Sequence, residues 1–383
     1  MNIINQIKKL DDFDDDKIFS LVNEYKDDNR DYKINLTIGV LVEDNKLFKF
    51  NVVKEEEDKC KTHGYLSISG NFNFIKLHYE LVTGSKYKDE LVYQTLSGTG
   101  AISLAAKVLS ILEYKDIYIP SSTWGNHNNI FKSNNFNIKY YDYITKPRLD
   151  KDKLLQSLSK INNSLVLFQS CCHNPTGVDI ENETWDKIVD LMKQNNNIVI
   201  IDNAYQGLVS GNLNEDNYSI KKFLSKKIPS FICSSHSKNF GLYGQRIGGL
   251  IINIDNNKLN NYIKKIIRSE YSTPPYYGSY IVENILSNDV KYNLWTKEVY
   301  EQVNKLKKIR VHLYSKLRQN GILWHDIMNT NGLFYQTNLT VEQVKELKVE
   351  YGIYMLENGR INLAALNNSN MCYFVNSVKK ILK

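Results

Sequence analysis

The stretch Ser-Ser-His-Ser-Lys-Asn-Phe-Gly-Leu-Tyr-Gly-Gln-Arg fills positions 234–246, directly after the apolar triplet Phe231, Ile232 and Cys233. Its one lysine, Lys238, stands among small and hydroxyl-bearing residues; Ser235, Ser237 and Gly241 suit a tight, hydroxyl-lined turn. Most lysines are solvated surface charges, but this one follows a run that reads as a short buried strand. Arg246 lies a few residues on and offers a permanent charge to an anion. A deprotonated lysine amine is a nucleophile that forms Schiff bases with carbonyls, including the aldehyde of pyridoxal phosphate. Lys238 is the candidate attachment point for that cofactor. The rest of the chain must then supply a partner for the pyridine nitrogen, a phosphate cup and handles for a substrate.

Working outward, the next apolar run (Asn197, Ile198, Val199, Ile200, Ile201) ends at Asp202, with Ala204, Tyr205, Gln206 and Gly207 following. An ionised carboxylate at the end of an apolar strand is costly unless paired. A protonated pyridine nitrogen would pair with it; capping a nearby helix is the other reading. Further back, residues 92–96 lead into Ser97-Gly98-Thr99-Gly100-Ala101 and a helical run through Ile102, Leu104, Ala105, Val108 and Leu112. Glycines and hydroxyls opening a helix suit an anion held by backbone N–H groups, although a plain capped helix start looks the same. The strand at 117–120 gives way to Trp124 and His127, and the strand at 165–169 to His173-Asn174-Pro175-Thr176-Gly177. Ligands in open α/β sheets bind beyond the carboxyl ends of strands, which is where these residues fall. Ordinary packing accounts for Trp124 equally well in isolation. With a strand at 247–254, the alternation predicts a mostly parallel sheet with helices on its faces.

Outside this region the pattern changes. Residues 18–25 have helical apolar spacing, and 34–40 read as a short strand ending near Gly39. The acidic run 55–58 reads as a solvated helix face, and Tyr65 lies in a glycine-bounded loop, 63–70. Beyond Pro274-Pro275, Leu294, Val299, Val303, Leu306, Ile309, Leu313 and Leu317 follow helical steps until Asn320-Gly321. A helix of that length can link a large domain to a smaller one. The chain has 383 residues, 42% hydrophobic and 24% charged, so two domains are expected. Its net charge of +7 is spread along the chain, which argues against a nucleic-acid stripe. Five cysteines without metal-ligand or secretory spacing point to a reducing compartment. No apolar run reaches the roughly 20 residues that span a membrane, and the acidic start resembles neither a signal nor a transit peptide. The expectation is a cytoplasmic protein without a metal.

The motifs at 97–101, 174–177, 202–207, 235–246 and 359–362 recur in the order found in class I, fold-type-I aminotransferases, and from about residue 18 onward the chain resembles them, above all the aspartate aminotransferases. The resemblance implies a seven-stranded, mostly parallel sheet in a large domain over 40–286. It implies a smaller α+β domain from 1–39 and 299–383, joined by a helix at about 289–319. It implies that Lys238 forms the Schiff base and moves the proton, and that Asp202 pairs with the pyridine nitrogen, backed by His127. Asn174 and Tyr205 would bond the cofactor's phenolic oxygen, and Trp124 would stack on its ring. Ser97, Gly98, Thr99, Ser235 and Arg246 would make the phosphate cup, and Ser237 would also bind the cofactor. In a homodimer Tyr65 would reach that phosphate from the neighbouring subunit, and Arg268 would reach the substrate's side-chain carboxylate. Arg360 would grip the α-carboxylate, with Gly39, Trp124 and Asn174 beside it.

The implied reaction is ping-pong transfer of the amino group from L-aspartate to 2-oxoglutarate. Leu41, Tyr271, Thr273 and Ala365 depart from the family's usual residues around the substrate pocket. They leave open an aromatic or broad-range aminotransferase, or a lyase of the same fold. A cofactor-binding sensor or interaction module without turnover is a more distant reading; it would show an appended binding domain or the loss of Lys238 or Asp202.

Overall fold

The computed structural model describes residues 3–7, 16–43, 46–61, 64–145, 148–254 and 256–382. Met1, Asn2, the acidic residues at 11–15 and His63 lie outside them. Seven strands form the main sheet: β1 (Leu91–Leu96), β2 (Asp116–Pro120), β3 (Asn137–Tyr141), β4 (Leu165–Gln169), β5 (Ile198–Asn203), β6 (Ser230–Ser235) and β7 (Ile247–Ile252). Their order across the sheet is β1-β7-β6-β5-β4-β2-β3. Only β7 runs antiparallel, against both β6 and β1; the other pairings are parallel. β4, β5 and β6 are buried on both faces, as their continuous apolar runs require. Two hydrophobic clusters cover the two faces, one including Phe168, Trp185 and Phe223 and the other Ile102, Phe131 and Ile263.

Register places the chemistry at one end. Asp202 on β5 pairs with Gln169 on β4 and Cys233 on β6, so β5 ends level with its neighbours. Ser235 pairs with Gly248, and Ile247 with Leu96, which sets the start of helix α2 (Ser97–Ile111) beside the lysine turn. Gly248 makes this approach possible: a Cβ there would lie 2.2 Å from the Ser234 carbonyl and 2.9 Å from Ser97 Cα. Gly249 leaves room for His78 of helix α1 (Phe72–Thr83), whose ring a Cβ would meet at 2.5 Å.

Helix α3 (Asn257–Glu270) carries Arg268 in its last turn. Helix α4 (Asp289–Gln319) is capped by Asn288 and ends at Asn320, with Gly321 at φ +76°. Near its start the buried Trp295 donates to the Asn239 carbonyl of the lysine turn at 2.8 Å. Near its end Leu313 and Leu317 enter a third cluster with Ile34, Leu36, Ile353, Ile361 and Phe374. Strands β8 (Phe334–Gln336) and β9 (Arg360–Asn362) pair antiparallel within this region.

Three local readings change. Only Ile34–Asn35 of the 34–40 run is a strand, paired with Ile353–Tyr354; the Thr37, Ile38 and Val40 carbonyls go instead to the side chains of Arg360 and Asn362. β7 stops at Ile252. The acidic run is not a uniformly solvated face: in the helix Asn51–Glu57, Glu56 is buried with Val52 and Val53 and lies 2.9 Å from Lys59 and 3.0 Å from Lys291.

Besides His127, three imidazoles are buried among the described residues. His78 Nδ1 meets His236 Nε2 at 2.8 Å, and His173 Nδ1 meets Thr176 Oγ1 at 2.8 Å. Burial lowers all three, His236 to about 4 and His173 to about 3, with His78 also well below its ordinary value. Below pH 6.5 the unfolded chain takes protons that the folded chain refuses, so their contribution is full above that pH and lost toward pH 4. Burial also raises Asp179 to about 6 and raises Asp216, which oppose the trend. His78→Phe isolates one imidazole. Its loss of stability between pH 7 and pH 5, measured by urea unfolding, should be smaller than that of the parent by about 1–2 kcal/mol. Equal losses in the two proteins would refute the assignment.

Candidate active site

A cavity of about 150 Å³ opens at the carboxyl ends of β4, β5 and β6. Lys238, Asp202, Tyr205, Asn174, Trp124, Ser97, Gly98, Thr99, Ser235, Ser237, Arg246, Gly39 and Arg360 all line it. The structure thus brings together residues from every motif singled out in the sequence except Tyr65 and Arg268, with His127 one step behind the wall. Tyr65 is 94% exposed, and Arg268 is exposed with its guanidinium bonded to the Ser272 hydroxyl. Neither lines this cavity.

One side has the makings of an anion seat. Ser97 Oγ lies 2.8 Å from Ser235 Oγ and 2.9 Å from Ser237 Oγ. Arg246 Nη1 donates to Ser237 Oγ at 3.4 Å and to the Tyr243 carbonyl at 3.0 Å. Ser97 sits at φ +61° and Arg246 at φ +51°, left-handed conformations that cost a non-glycine residue energy and cluster at functional sites. Ser97, Gly98 and Thr99 open α2, so free N–H groups and the positive helix end lie by the hydroxyls.

The floor carries the charges. Asp202 is buried, and His127 lies behind it with Nε2 3.1 Å from Oδ2. With Asp202 ionised, Nε2–H donates, and Nδ1 then accepts from the Thr123 hydroxyl at 2.8 Å. Lys238 Nζ stands 5.0 Å from the centre of the Tyr205 ring. Burial pushes the Lys238 ammonium down to about 8; Asp202 opposes this, while Arg246 and Arg360 assist it. Burial raises the Tyr205 phenol.

The remaining wall holds Arg360, only 3% exposed. Its Nη1 donates to Asn174 Oδ1 at 3.1 Å, its Nη2 donates to the Thr37 carbonyl, and its guanidinium lies 4.4 Å from the centre of the Phe334 ring. Among the described residues its Nε has no partner, and neither Arg360 nor Arg246 has a carboxylate within ion-pair distance. Burial lowers Arg360 to about 10. A buried cation without a counter-ion calls for an anionic ligand.

Sequence reasoning passed over several contributors. Gln169 brackets Asn174: its Oε1 accepts from the Asn174 N–H and its Nε2 donates to the Asn174 carbonyl, both at 2.9 Å. A polar residue closing an apolar strand was the available signal, the same one that picked out Asp202. Phe334, Ile18 and Ile102 also line the cavity, and an apolar residue in a helix or strand gives no sign of this.

These groups ask for a ligand with an anionic head, an electrophilic carbonyl within reach of a lysine and a cationic nitrogen beside a carboxylate. Pyridoxal phosphate has all three, and the residues present fit it: the serine and helix seat with Arg246 for the phosphate, Lys238 for the aldehyde, Asp202 for the ring nitrogen. A lysine-anchored site at the strand ends of a mostly parallel sheet defines a fold-type-I pyridoxal phosphate enzyme. The chain matches the model of the family described as aminotransferase class I and II over residues 31–378, and it belongs to that family.

It is 32% identical over 430 aligned residues to the mitochondrial aspartate aminotransferase of Saccharomyces cerevisiae, covering 96% of this chain and 93% of that one. The solved structure of the cytoplasmic aspartate aminotransferase of the same yeast superposes with a TM-score of 0.94 at 30% identity, covering 98% of each chain. An aromatic-amino-acid aminotransferase from Burkholderia pseudomallei, covalently bound to pyridoxal phosphate, superposes with a TM-score of 0.92 at 30% identity, covering 98% of this chain and 99% of that one. No helix among the described residues is long and apolar enough to cross a membrane.

A lysine lowered to about 8 is mostly protonated at pH 7 and mostly neutral at pH 9. The rate at which the cofactor-free protein takes up pyridoxal phosphate, followed by absorbance, should therefore climb through pH 8 and level off above it. Asp202→Ala removes the anion that holds the ammonium up, so its midpoint should fall below that of the parent. An unmoved midpoint would show that Lys238 does not set the rate.

Proposed function

We propose that this protein is an aspartate aminotransferase that moves the amino group of L-aspartate to 2-oxoglutarate in two half-reactions. The observation that carries the reading is Arg360, buried and without a carboxylate partner among the described residues, on the wall of the cavity that Lys238 also lines. When bound, pyridoxal phosphate supplies the carbonyl that takes the amino group and the ring over which the α-carbon's electron pair spreads. The chain's residues do the rest. Arg360 binds the α-carboxylate through two parallel N–H groups, with Asn174 fixing its orientation. Lys238, neutral once released, would take the proton from the α-carbon and return it across the nitrogen, to the carbon that bore the aldehyde oxygen. Asp202, held by His127, keeps a proton on the ring nitrogen. Asn174 and Tyr205 bond the phenolic oxygen, and Trp124 covers the ring. Ser97, Gly98, Thr99, Ser235, Ser237 and Arg246 hold the phosphate.

The choice of a dicarboxylate rests on a second copy of the chain. Tyr65 and Arg268 are exposed and far from saturated by their own surroundings, and in a homodimer each serves the neighbouring copy's cavity. Tyr65 would bond the phosphate there, and Arg268 the substrate's side-chain carboxylate. The large domain spans 40–286 and the small one 1–39 with 299–383, joined by α4; the third hydrophobic cluster, uniting Ile34 and Leu36 with residues past 313, supports that division. The compartment in this reading is the cytoplasm, in keeping with the free cysteines. The similarity to an aromatic-amino-acid aminotransferase supports a second reading, in which the same machinery accepts aromatic amino acids.

Absorption spectra of the protein loaded with pyridoxal phosphate, with L-aspartate or L-phenylalanine and no keto acid, separate the two. Conversion to the amine form of the cofactor by aspartate in preference to phenylalanine is expected; the reverse order would overturn the dicarboxylate assignment. Arg268→Leu should cost roughly 2–5 kcal/mol in kcat/KM for aspartate and far less for phenylalanine. Unchanged aspartate kinetics would remove Arg268 from the site.

A further inference from the structure

The segment at 36–41 reaches the cavity wall at Gly39, as a threshold to it, and adjacent residues of the segment are held by opposite walls. Leu36 N donates to the Tyr354 carbonyl at 2.8 Å, and Leu36 O accepts from Asn362 N at 2.9 Å. Arg360 donates to the Thr37 carbonyl. Asn362 Nδ2 donates to the carbonyls of both Ile38, at 2.7 Å, and Val40, at 2.8 Å. The carbonyls of Leu36, Thr37, Ile38 and Val40 are thus all tied to β9, the strand that carries Arg360. Leu41 is tied the other way: its N–H donates to the Tyr243 hydroxyl at 2.8 Å.

Tyr243 belongs to the lysine turn, and its carbonyl accepts from Arg246 of the anion seat at 3.0 Å. One residue therefore holds the seat's arginine through its backbone and the threshold through its hydroxyl. Gly39 lies between the two carbonyls that Asn362 holds, two residues before Leu41, and so close to Phe334 that a Cβ would come within 2.4 Å of the ring. Phe334 in turn lies under the Arg360 guanidinium. The threshold cannot slide without pushing on that ring. Leu41 is 1% exposed, so its N–H has no water to turn to if the hydroxyl is removed.

We infer that Tyr243 is a positioning residue for the amino-acid substrate: its hydroxyl pins Leu41 to the lysine turn and thereby holds Gly39 and Phe334 against Arg360. The inference rests on the reading of Arg360 as the α-carboxylate site. Tyr243→Phe removes the one oxygen and keeps both the ring and the carbonyl that holds Arg246. In the pyridoxal phosphate-loaded enzyme, KM for L-aspartate should rise about tenfold, as for a lost buried hydrogen bond, with a smaller change in kcat. The dissociation constant of succinate, a dicarboxylate with no amino group to react, should rise in parallel. The absorption spectrum without substrate and its pH titration should stay as in the parent, because the cofactor's own contacts are intact. Hydrogen exchange in the peptide covering 37–41, measured without any ligand, should quicken.

KM within about twofold of the parent, with unchanged exchange, would overturn the proposal. So would a shifted spectral titration, which would mean that the lysine turn itself had moved. A parent enzyme that ignores aspartate would count against the substrate assignment instead, and the exchange comparison would still decide whether Tyr243 holds the threshold.

Discussion

Everything at this site depends on how closely three backbones approach at Gly248. The end of β6, the start of β7 and the first turn of α2 meet there, and a single methyl group would separate them. Because they meet, the hydroxyls of Ser97, Ser235 and Ser237 converge although Ser97 lies far from the others in sequence. The antiparallel β7 is the device that achieves this: it turns back beside β6 and hands Leu96 of β1, and hence α2, to the lysine turn. The cost appears as left-handed backbone at Ser97 and Arg246, both on the rim of the seat.

Electrostatics follow from that geometry. Three cations, Lys238, Arg246 and Arg360, face one cavity with one buried carboxylate, Asp202. The two arginines are permanently charged, so the lysine yields, and burial moves it toward the neutral amine. The same positive excess suits an anionic group at each end of the cavity. Asp202 keeps the site from being uniformly cationic, and the Thr123–His127 chain fixes its orientation from a side the ligand cannot reach.

Much of this was legible in the sequence because function left polar residues where folding alone would not put them. Asp202 at the end of an all-apolar strand, hydroxyls and glycines opening α2, and a lysine in a serine turn each break the local pattern, and all three line the cavity. Gln169 obeyed the same rule and was overlooked. Phe334 and Ile18 could not be found this way, since an apolar residue is at home in any strand or helix. The 34–40 run misled for a related reason. Its apolar side chains suit a strand, but its carbonyls are taken by the side chains of Asn362 and Arg360, and which partner a carbonyl finds is a tertiary fact. Glu56 was misread because composition cannot reveal that Lys291, distant in sequence, closes over it.

Helix α4 has a mechanical consequence. Trp295, near one end, is bonded to the backbone of the lysine turn, and Leu317, near the other, is embedded in the cluster beneath β9. At 1.5 Å of rise per residue these two points lie roughly 33 Å apart on one unbroken rod. Such a rod is a lever with its fulcrum beside Lys238. A tilt of only a few degrees at the fulcrum becomes an ångström-scale displacement at the far end, the scale on which a guanidinium gains or loses its grip on a carboxylate.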